Sequence, residues 1–491
     1  MQAQQTTKPP YLMIAILFFG AFVAFLNNSL LNVALPSIMA DLNIADYATV
    51  QWLSTGYMLV SGVLIPVSAF LITRFTNRRL FLVSMLLFTI GTALSALAPN
   101  FGFLLAGRMV QAAGASVMGP LLMNIMLVSF PREKRGMAMG IFGLVMITAP
   151  AIGPTLSGYI VEYFDWRVLF EMIIPFALLS LVLAYWKLEN VMDTRKMNLD
   201  YLSVVLTIVG FGGLLYGCSI ASSKGWDSTE TLSFLLIGTL GLLWFIIRQT
   251  RLEEPLLDLR VYKYPMFALA SVISMVNAAA LFSGMILTPA YVQSVRGISP
   301  LDSGLMMLPG AIIMGLMSPI TGKLFDKFGA RILAVIGLAI TAYSTFLLAG
   351  LEIDSSYSYI VFIYTLRMFG LSMVGMPIMT NGLNQLPTRL NPHGTAINNT
   401  AQQVVGSIGT AIFVTIMNSQ AAEKGKELIA KLDPTTASEA DYAKLQQLAL
   451  LDGIQFTFMV ATVVTIVALV LSFFVKRVDV SADEVAKIEK Q

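Results

Sequence analysis

Arg108 lies inside an apolar run, GRMVQAAGAS (107–116), and Gln111 falls on the same helix face three residues on. An arginine at mid-membrane depth costs roughly 2.5 to 3.5 kcal/mol on insertion scales, so it must face protein or water unless it snorkels to an interface. Glu171 stands alone among the carboxylates inside apolar runs, in Trp166-Arg167-Val168-Leu169-Phe170-Glu171. A carboxyl in apolar surroundings can load and release a proton near neutral pH. The alternative is an acid at the outer rim, solvated or paired with Arg167. A second set is polar or soft and could line a cavity: Asn27, Asn124, Met146, Phe282, Met285, Asn398, Asn399 and Gln402. The chain has 28 methionines, which suit a pocket that adapts to varied apolar ligands, although most must simply pack helices or face lipid. His393, in a Pro-His-Gly-Thr turn, reads as a local cap.

The elements that must position these residues are membrane spans. The chain has 491 residues, 56% hydrophobic and 12% charged, with a mean hydropathy of +0.76. That composition belongs in a bilayer. Apolar segments long enough to cross about 30 Å of hydrocarbon lie near 11–35, 47–72, 80–98, 101–128, 136–160, 167–187, 201–221, 231–248, 266–293, 301–322, 331–350, 357–386, 394–419 and 454–475. The first is too long for a signal-peptide core and is read as a retained span. Most of the 31 Lys and Arg residues fall on the side of the amino terminus, which places both termini in the cytoplasm. The long outer loop 420–453 reads as a helical hairpin turning at Asp433-Pro434-Thr435-Thr436.

A net charge of +3 gives no footprint for nucleic acid. A single Cys218 and a single His393 give neither a disulfide nor a metal cluster, and no GxxxxGK[ST] loop is present to bind a nucleotide phosphate. No nucleophile stands with a base near either face, which argues against an enzyme, and no cofactor is implied.

Within the fifth span, Gly140, Gly143, Pro150, Pro154, Ser157 and Gly158 fall on one helical stripe, with Gly153 nearby. This is either a kinked packing face or a hinge formed by Gly143, Pro150, Gly153, Pro154 and Gly158. The chain also repeats. Pro36 matches Pro289, AFLITRF at Ala69 matches GKLFDKF at Gly322, and Arg108 matches Arg367, all at nearly one separation. The repeat implies a six-span bundle over 1–190, an inserted helix pair over 191–262, a second bundle over 263–476 and a cytoplasmic tail over 477–491.

Taken together, LLNVALPSI (30–38), VQWLSTGYML (50–59), GRMVQAAGAS (107–116), WRVLF (166–170), GWDS (225–228), EPLLDLRVY (254–262), YVQSVRGISPLDSGLMMLPGA (291–311), GKLFDKFGAR (322–331) and HGTAINNT (393–400) resemble the 14-span drug:proton antiporter family of the major facilitator superfamily, the EmrB and QacA type. The resemblance covers essentially the whole chain. It implies an all-α polytopic fold of fourteen spans and proton-coupled export of amphiphilic drug-like compounds by alternating access. Its partners would be small amphiphilic substrates, protons and membrane lipid, and the protein would act as a monomer in the inner or plasma membrane.

The resemblance also implies that Arg108 and Gln111 handle the proton, and that Gly322, Asp326, Lys327 and Arg331 form a cytoplasmic gate loop. The first-half copy of that loop departs from the pattern: Ala69, Thr73 and Thr76 replace Gly, Asp and Gly, while Arg74 and Arg78 remain. Asn27 stands where many members carry a first-span aspartate, and Gln402 where relatives often carry arginine. An amide cannot titrate, so coupling would use another acid, with Glu171 the candidate, or the substrate needs no acidic partner. A dedicated exporter of one lipid, metabolite or antibiotic class, and a non-transporting membrane sensor, share these features.

Overall fold

The computed structural model describes residues 11–44, 47–431 and 438–477. The turn expected at Asp433–Thr436 and nearly all of the tail expected at 477–491 lie outside the described residues. Among those described, the chain is helical throughout and contains 14 helices long and apolar enough to cross a membrane. They are α1 (Tyr11–Asp41), α2 (Tyr47–Arg74), α3 (Asn77–Ala96), α4 (Phe101–Ser129), α5 (Arg135–Tyr163) and α6 (Val168–Lys187). There follow α7 (Tyr201–Ala221), α8 (Thr229–Arg251), α9 (Pro265–Val295), α10 (Pro300–Phe328), α11 (Ala330–Ala349), α12 (Tyr357–Asn384), α13 (Asn391–Ala430) and α14 (Glu439–Ser472).

Side-chain oxygens set several helix starts. Thr76, Asn100, Ser228 and Ser356 each accept a backbone N–H from the first turn of α3, α4, α8 and α12. Such caps replace the partners that the first backbone donors of a helix lack. Three spans differ from their sequence reading. An opening turn, Val168–Glu171, precedes the main body of α6, Ile173–Lys187. α12 breaks between Ser372 and Gly375. α13 runs unbroken for 40 residues, so the hairpin expected over 420–453 is built from the ends of α13 and α14 rather than from separate helices. Ser438 and Asp441 form a reciprocal cap at the start of α14, and Gln420 donates to Asp452 at 2.9 Å across the pair.

Lipid gives helices no hydrophobic reason to associate, so small residues must let backbones meet and collect dispersion energy. A Cβ on Gly114 of α4 would sit 2.3 Å from the Ser84 carbonyl oxygen of α3. The same contact recurs between α11 and α12, where a Cβ on Gly337 would sit 2.7 Å from the Gly370 carbonyl oxygen. α1–α6 pack chiefly on one another, and so do α9–α14. The α7–α8 pair is joined through Gly213 and Gly238 and lies against both groups. Trp52 of α2 stacks on Tyr216 at 5.3 Å, while Trp226 donates to Thr415 of α13 at 2.6 Å. The Asp200–Arg248 ion pair, at 2.7 Å, and Asn77, which holds the Glu189 carbonyl at 2.7 Å, fix the segment that leads into the pair.

Gly114→Leu forces backbone apart and is expected to destabilise by about 1–3 kcal/mol, lowering the thermal midpoint in mild detergent. Gly158→Ala, whose Cβ meets nothing within 4 Å, leaves the midpoint unchanged. Equal midpoints for the two variants would contradict this packing.

Candidate functional site

Arg108, fully buried on α4, is the centre of a polar network in which every acceptor is neutral. Its Nη1 donates to Asn27 Oδ1 at 3.1 Å and to Gln111 Oε1 at 2.9 Å, and its Nη2 donates to Asn28 Oδ1 at 3.3 Å. Gln111 in turn donates to Thr92 at 2.8 Å. The guanidinium lies over the Tyr57 ring, 4.4 Å from its centroid, so α1, α2, α3 and α4 all contribute to its surroundings. Arg108 Nε and Asn27 Nδ2 are buried without an acceptor.

Arg367, its counterpart on α12, is also fully buried. It is held differently, donating to Thr345 and Ser283 at 3.0 Å each and to the Ala280 carbonyl. Among the described residues, neither arginine has a carboxylate in its hydrogen-bond network.

The second construction is the seam between α5 and α10. A Cβ on Gly322 would sit 2.2 Å from the Gly136 carbonyl oxygen, and one on Gly140 would sit 2.5 Å from that of Ser318. Backbone therefore meets backbone at this end. Ser318 donates to the Gly140 carbonyl at 2.8 Å. The Asp326 carboxylate accepts the first backbone donors of α5, from Gly136 at 2.8 Å and Met137 at 3.0 Å, a favourable place for an anion. Arg135 reaches Asn384 of α12 at 2.9 Å, and Asn124 of α4 reaches Thr395 of α13 at 2.6 Å.

Five helical turns away, about 27 Å on the same faces, Gly158 of α5 and Gly304 of α10 meet no described atom within 4 Å. The seam is clasped at one end and open at the other.

A sequence model of the Major Facilitator Superfamily matches residues 17–410. The chain belongs to the major facilitator superfamily. Among similar proteins of this superfamily, the uncharacterized MFS-type transporter YhcA of Bacillus subtilis is 44% identical, covering 99% of this chain and 96% of its own. The lincomycin resistance protein LmrB of Bacillus subtilis is 43% identical, covering 98% of each chain. The crystal structure of the human organic anion transporter MFSD10 shares the fold, with a TM-score of 0.65 at 12% identity over 95% of this chain and 100% of that one. This facilitator is thus a multi-pass membrane transporter of the superfamily, and some of its relatives carry names of drug resistance.

The structure brings Arg108, Gln111 and Asn27 into one facilitator network and Gly322 and Asp326 into the clasp. Glu171 is elsewhere: it ends the opening turn of α6 and is exposed rather than enclosed by apolar side chains. Arg167 beside it pairs with Asp41 at 2.9 Å and with Asp165 at 3.4 Å. Hydrogen bonds from Trp166 and Arg167 hold the Asp41 carboxyl below its ordinary range, so it stays ionised. Arg74 lies by Phe75, and Arg78 lies over Tyr185 and donates to its carbonyl; neither reaches the seam. Lys327 lies over Phe328, and Arg331 is exposed.

α5 is continuous from Arg135 to Tyr163, with Pro150 exposed on it. Gly143 faces Ser318 across the seam, whereas Gly153 lies against Ser29 of α1. The Pro154 side chain is outside the described set. Phe282 packs on Gly406 of α13, Met285 is exposed, and Met146, Asn399 and Gln402 are half-buried. Asn398 is buried with its Nδ2 unpartnered. His393 is buried, and its Nδ1 accepts the Asp258 backbone N–H at 3.1 Å, tying the loop after α8 to α13. Asn28, Tyr57, Arg135 and Asn384 were not singled out from sequence. Their neighbours in the fold, distant along the chain, reveal their roles.

With Cys218 replaced by serine, Gly322→Val is expected to raise the maleimide reactivity of a cysteine at Ser318 several-fold, because a side chain cannot fit between the two backbones. Gly304→Val leaves it unchanged. Equal reactivity in both variants would remove the clasp.

Proposed function

We propose that this facilitator is a proton-coupled secondary exporter of amphiphilic, drug-like compounds that works by alternating access. The observation that carries the reading is the seam, joined backbone to backbone at Gly136 and Gly322 and open at Gly158 and Gly304. A seam built this way can pass its contact from one end to the other while the helices themselves stay intact. Positive-inside asymmetry puts the clasped end toward the cytoplasm, so this form faces outward. The bundles 1–190 and 263–476 would rock about the seam, with the glycine and proline stripe of α5 as the flexible member. Asp326 would hold the inner end shut by accepting the α5 donors.

A relative named for lincomycin resistance supports drug-like cargo and outward movement. Inward return of a proton gains about 2.3 kcal/mol per 100 mV plus any pH difference, which suffices to drive extrusion. Arg108 and Gln111 would sense the proton or cargo about two to three turns into α4. Glu171, exposed at the outer side, is the carrier to be tested, since Asp41 is held as an ion pair.

Everted membrane vesicles containing the protein are expected to accumulate a neutral fluorescent amphiphile when an inward-acid gradient is imposed, and to lose it when a protonophore is added. Glu171→Gln is expected to cut the rate at least about tenfold. Accumulation indifferent to the protonophore would overturn proton coupling, and full activity of the variant would remove Glu171 as carrier.

A further inference from the structure

We propose that Arg108 is an anion-accepting centre, which takes the carboxylate or sulfonate of an amphiphilic organic anion as the exported cargo. The inference rests on the export reading above and narrows its substrate class.

A fully buried guanidinium demands compensation, and the described residues around it supply only dipoles. Its side-chain acceptors are the amide oxygens of Asn27, Asn28 and Gln111, with a tyrosine ring beneath. Burying a charge is unfavourable unless an opposite charge or a full set of acceptors balances it. The shortfall here has a definite sign. Arg108 Nε and Asn27 Nδ2 are both donors, and both lack an acceptor. What the centre is missing is therefore negative charge or lone pairs, which an anionic head group would bring and a cation would not.

Arg367 differs in its surroundings: its guanidinium donates to a backbone carbonyl and two hydroxyls, and although its Nη1 is also buried without an acceptor, Gly284 packs directly against that nitrogen.

A route of approach is also present. Arg108 lies about 10 Å from the start of α4, at the Phe101 end. That end neighbours the outer turn of α5 and α6, where Arg167 donates to the Ala98 carbonyl at 3.1 Å. It is thus on the open side of the seam. Of the three bonds to Arg108 Nη atoms, the one to Asn28 is the longest, at 3.3 Å, and Asn28 is half-buried. An incoming carboxylate would replace that amide oxygen and form the stronger, charge-assisted bond.

Full-length protein in phosphatidylcholine nanodiscs would be titrated with three dansyl-tagged ten-carbon chains ending in a carboxylate, an ammonium or a hydroxyl. The wild type is expected to bind the carboxylate at least about tenfold more tightly than the ammonium. Asn27→Asp places an internal counterion on Arg108 and is expected to abolish or reverse that preference, with the hydroxyl probe bound as in wild type to report an intact fold. Asn27→Ser is expected to keep the preference.

Equal wild-type affinities for the two charged probes would overturn the proposal without recourse to any variant, and so would an Asn27→Asp protein that keeps the preference. Repeating the titration with chloride in place of gluconate distinguishes the source of the charge. Unchanged carboxylate binding supports the organic anion, whereas its loss would assign the centre to an inorganic ion and overturn the assignment to cargo. An anion preference without gradient-driven flux would retire the export reading and leave the site. Flux without the preference would do the reverse.

Discussion

The contact of bare backbone on bare backbone between α5 and α10 is the constraint on which the rest depends. Hydrocarbon offers these helices nothing to gain from mere burial, so their attraction must come from close approach and from hydrogen bonds across the gap. Gly136, Gly140 and Gly322 permit the approach, and Ser318 and Asp326 supply bonds. A contact made in this way is specific to the places where side chains are missing. It cannot spread along the seam as an apolar interface could, and this keeps the opposite end free. The Arg135–Asn384 and Asn124–Thr395 bonds reinforce the same end, and the α7–α8 pair bridges α2 and α13 on another side of the molecule. One wall is therefore tethered to a third element, while the α5–α10 wall meets itself directly.

The electrostatics follow from the same scarcity of water. An acid at position 27 would have made Arg108 a closed ion pair, content in the dry interior. The amide leaves the charge in place and removes its neutraliser while keeping the hydrogen bond at 3.1 Å. Geometry is preserved and charge balance is not. The asymmetry between the two halves has the same character. Arg367 donates to hydroxyls and a carbonyl of its own bundle, and Asp326 has no acidic counterpart in the first-half loop, where Arg74 and Arg78 are engaged with aromatic rings. The repeat explains the architecture, and the departures from it make the two halves chemically unequal.

Most of the fold was legible in the sequence because a helix in lipid must satisfy its own backbone over about twenty apolar residues, and such runs stand out in the chain. The repeat was legible for a similar reason, since Pro36 and Pro289, or Arg108 and Arg367, are rare residues in apolar surroundings. The ends were harder. Residues 420–430 and 439–453 are polar enough to be read as a separate hairpin, yet they continue α13 and α14 without a break. The apolar flanks of Glu171 leave an interior acid and a rim acid both open, and it takes the opening turn before Ile173 to set its exposure. No local pattern identifies Asn28 and Tyr57 as partners of Arg108, or Asn384 as the partner of Arg135, because each pairing is made by helices far apart in sequence. The stripe on α5 was visible, but its division into glycines that face α10 and a Gly153 that faces α1 required the packed structure.

The central claim is reciprocity: if the proposed alternating access holds, loosening the Gly136–Gly322 clasp, the inner end in that reading, closes the Gly158–Gly304 end. Nitroxide labels at Gly158 and Gly304, and in a second sample at Met137 and Lys323, report the two ends by pulsed electron spin resonance in nanodiscs. With Gly322→Val added to each sample, the account predicts a longer Met137–Lys323 distance together with a shorter Gly158–Gly304 distance. An inner end that opens while the outer distance stays where it was would contradict it.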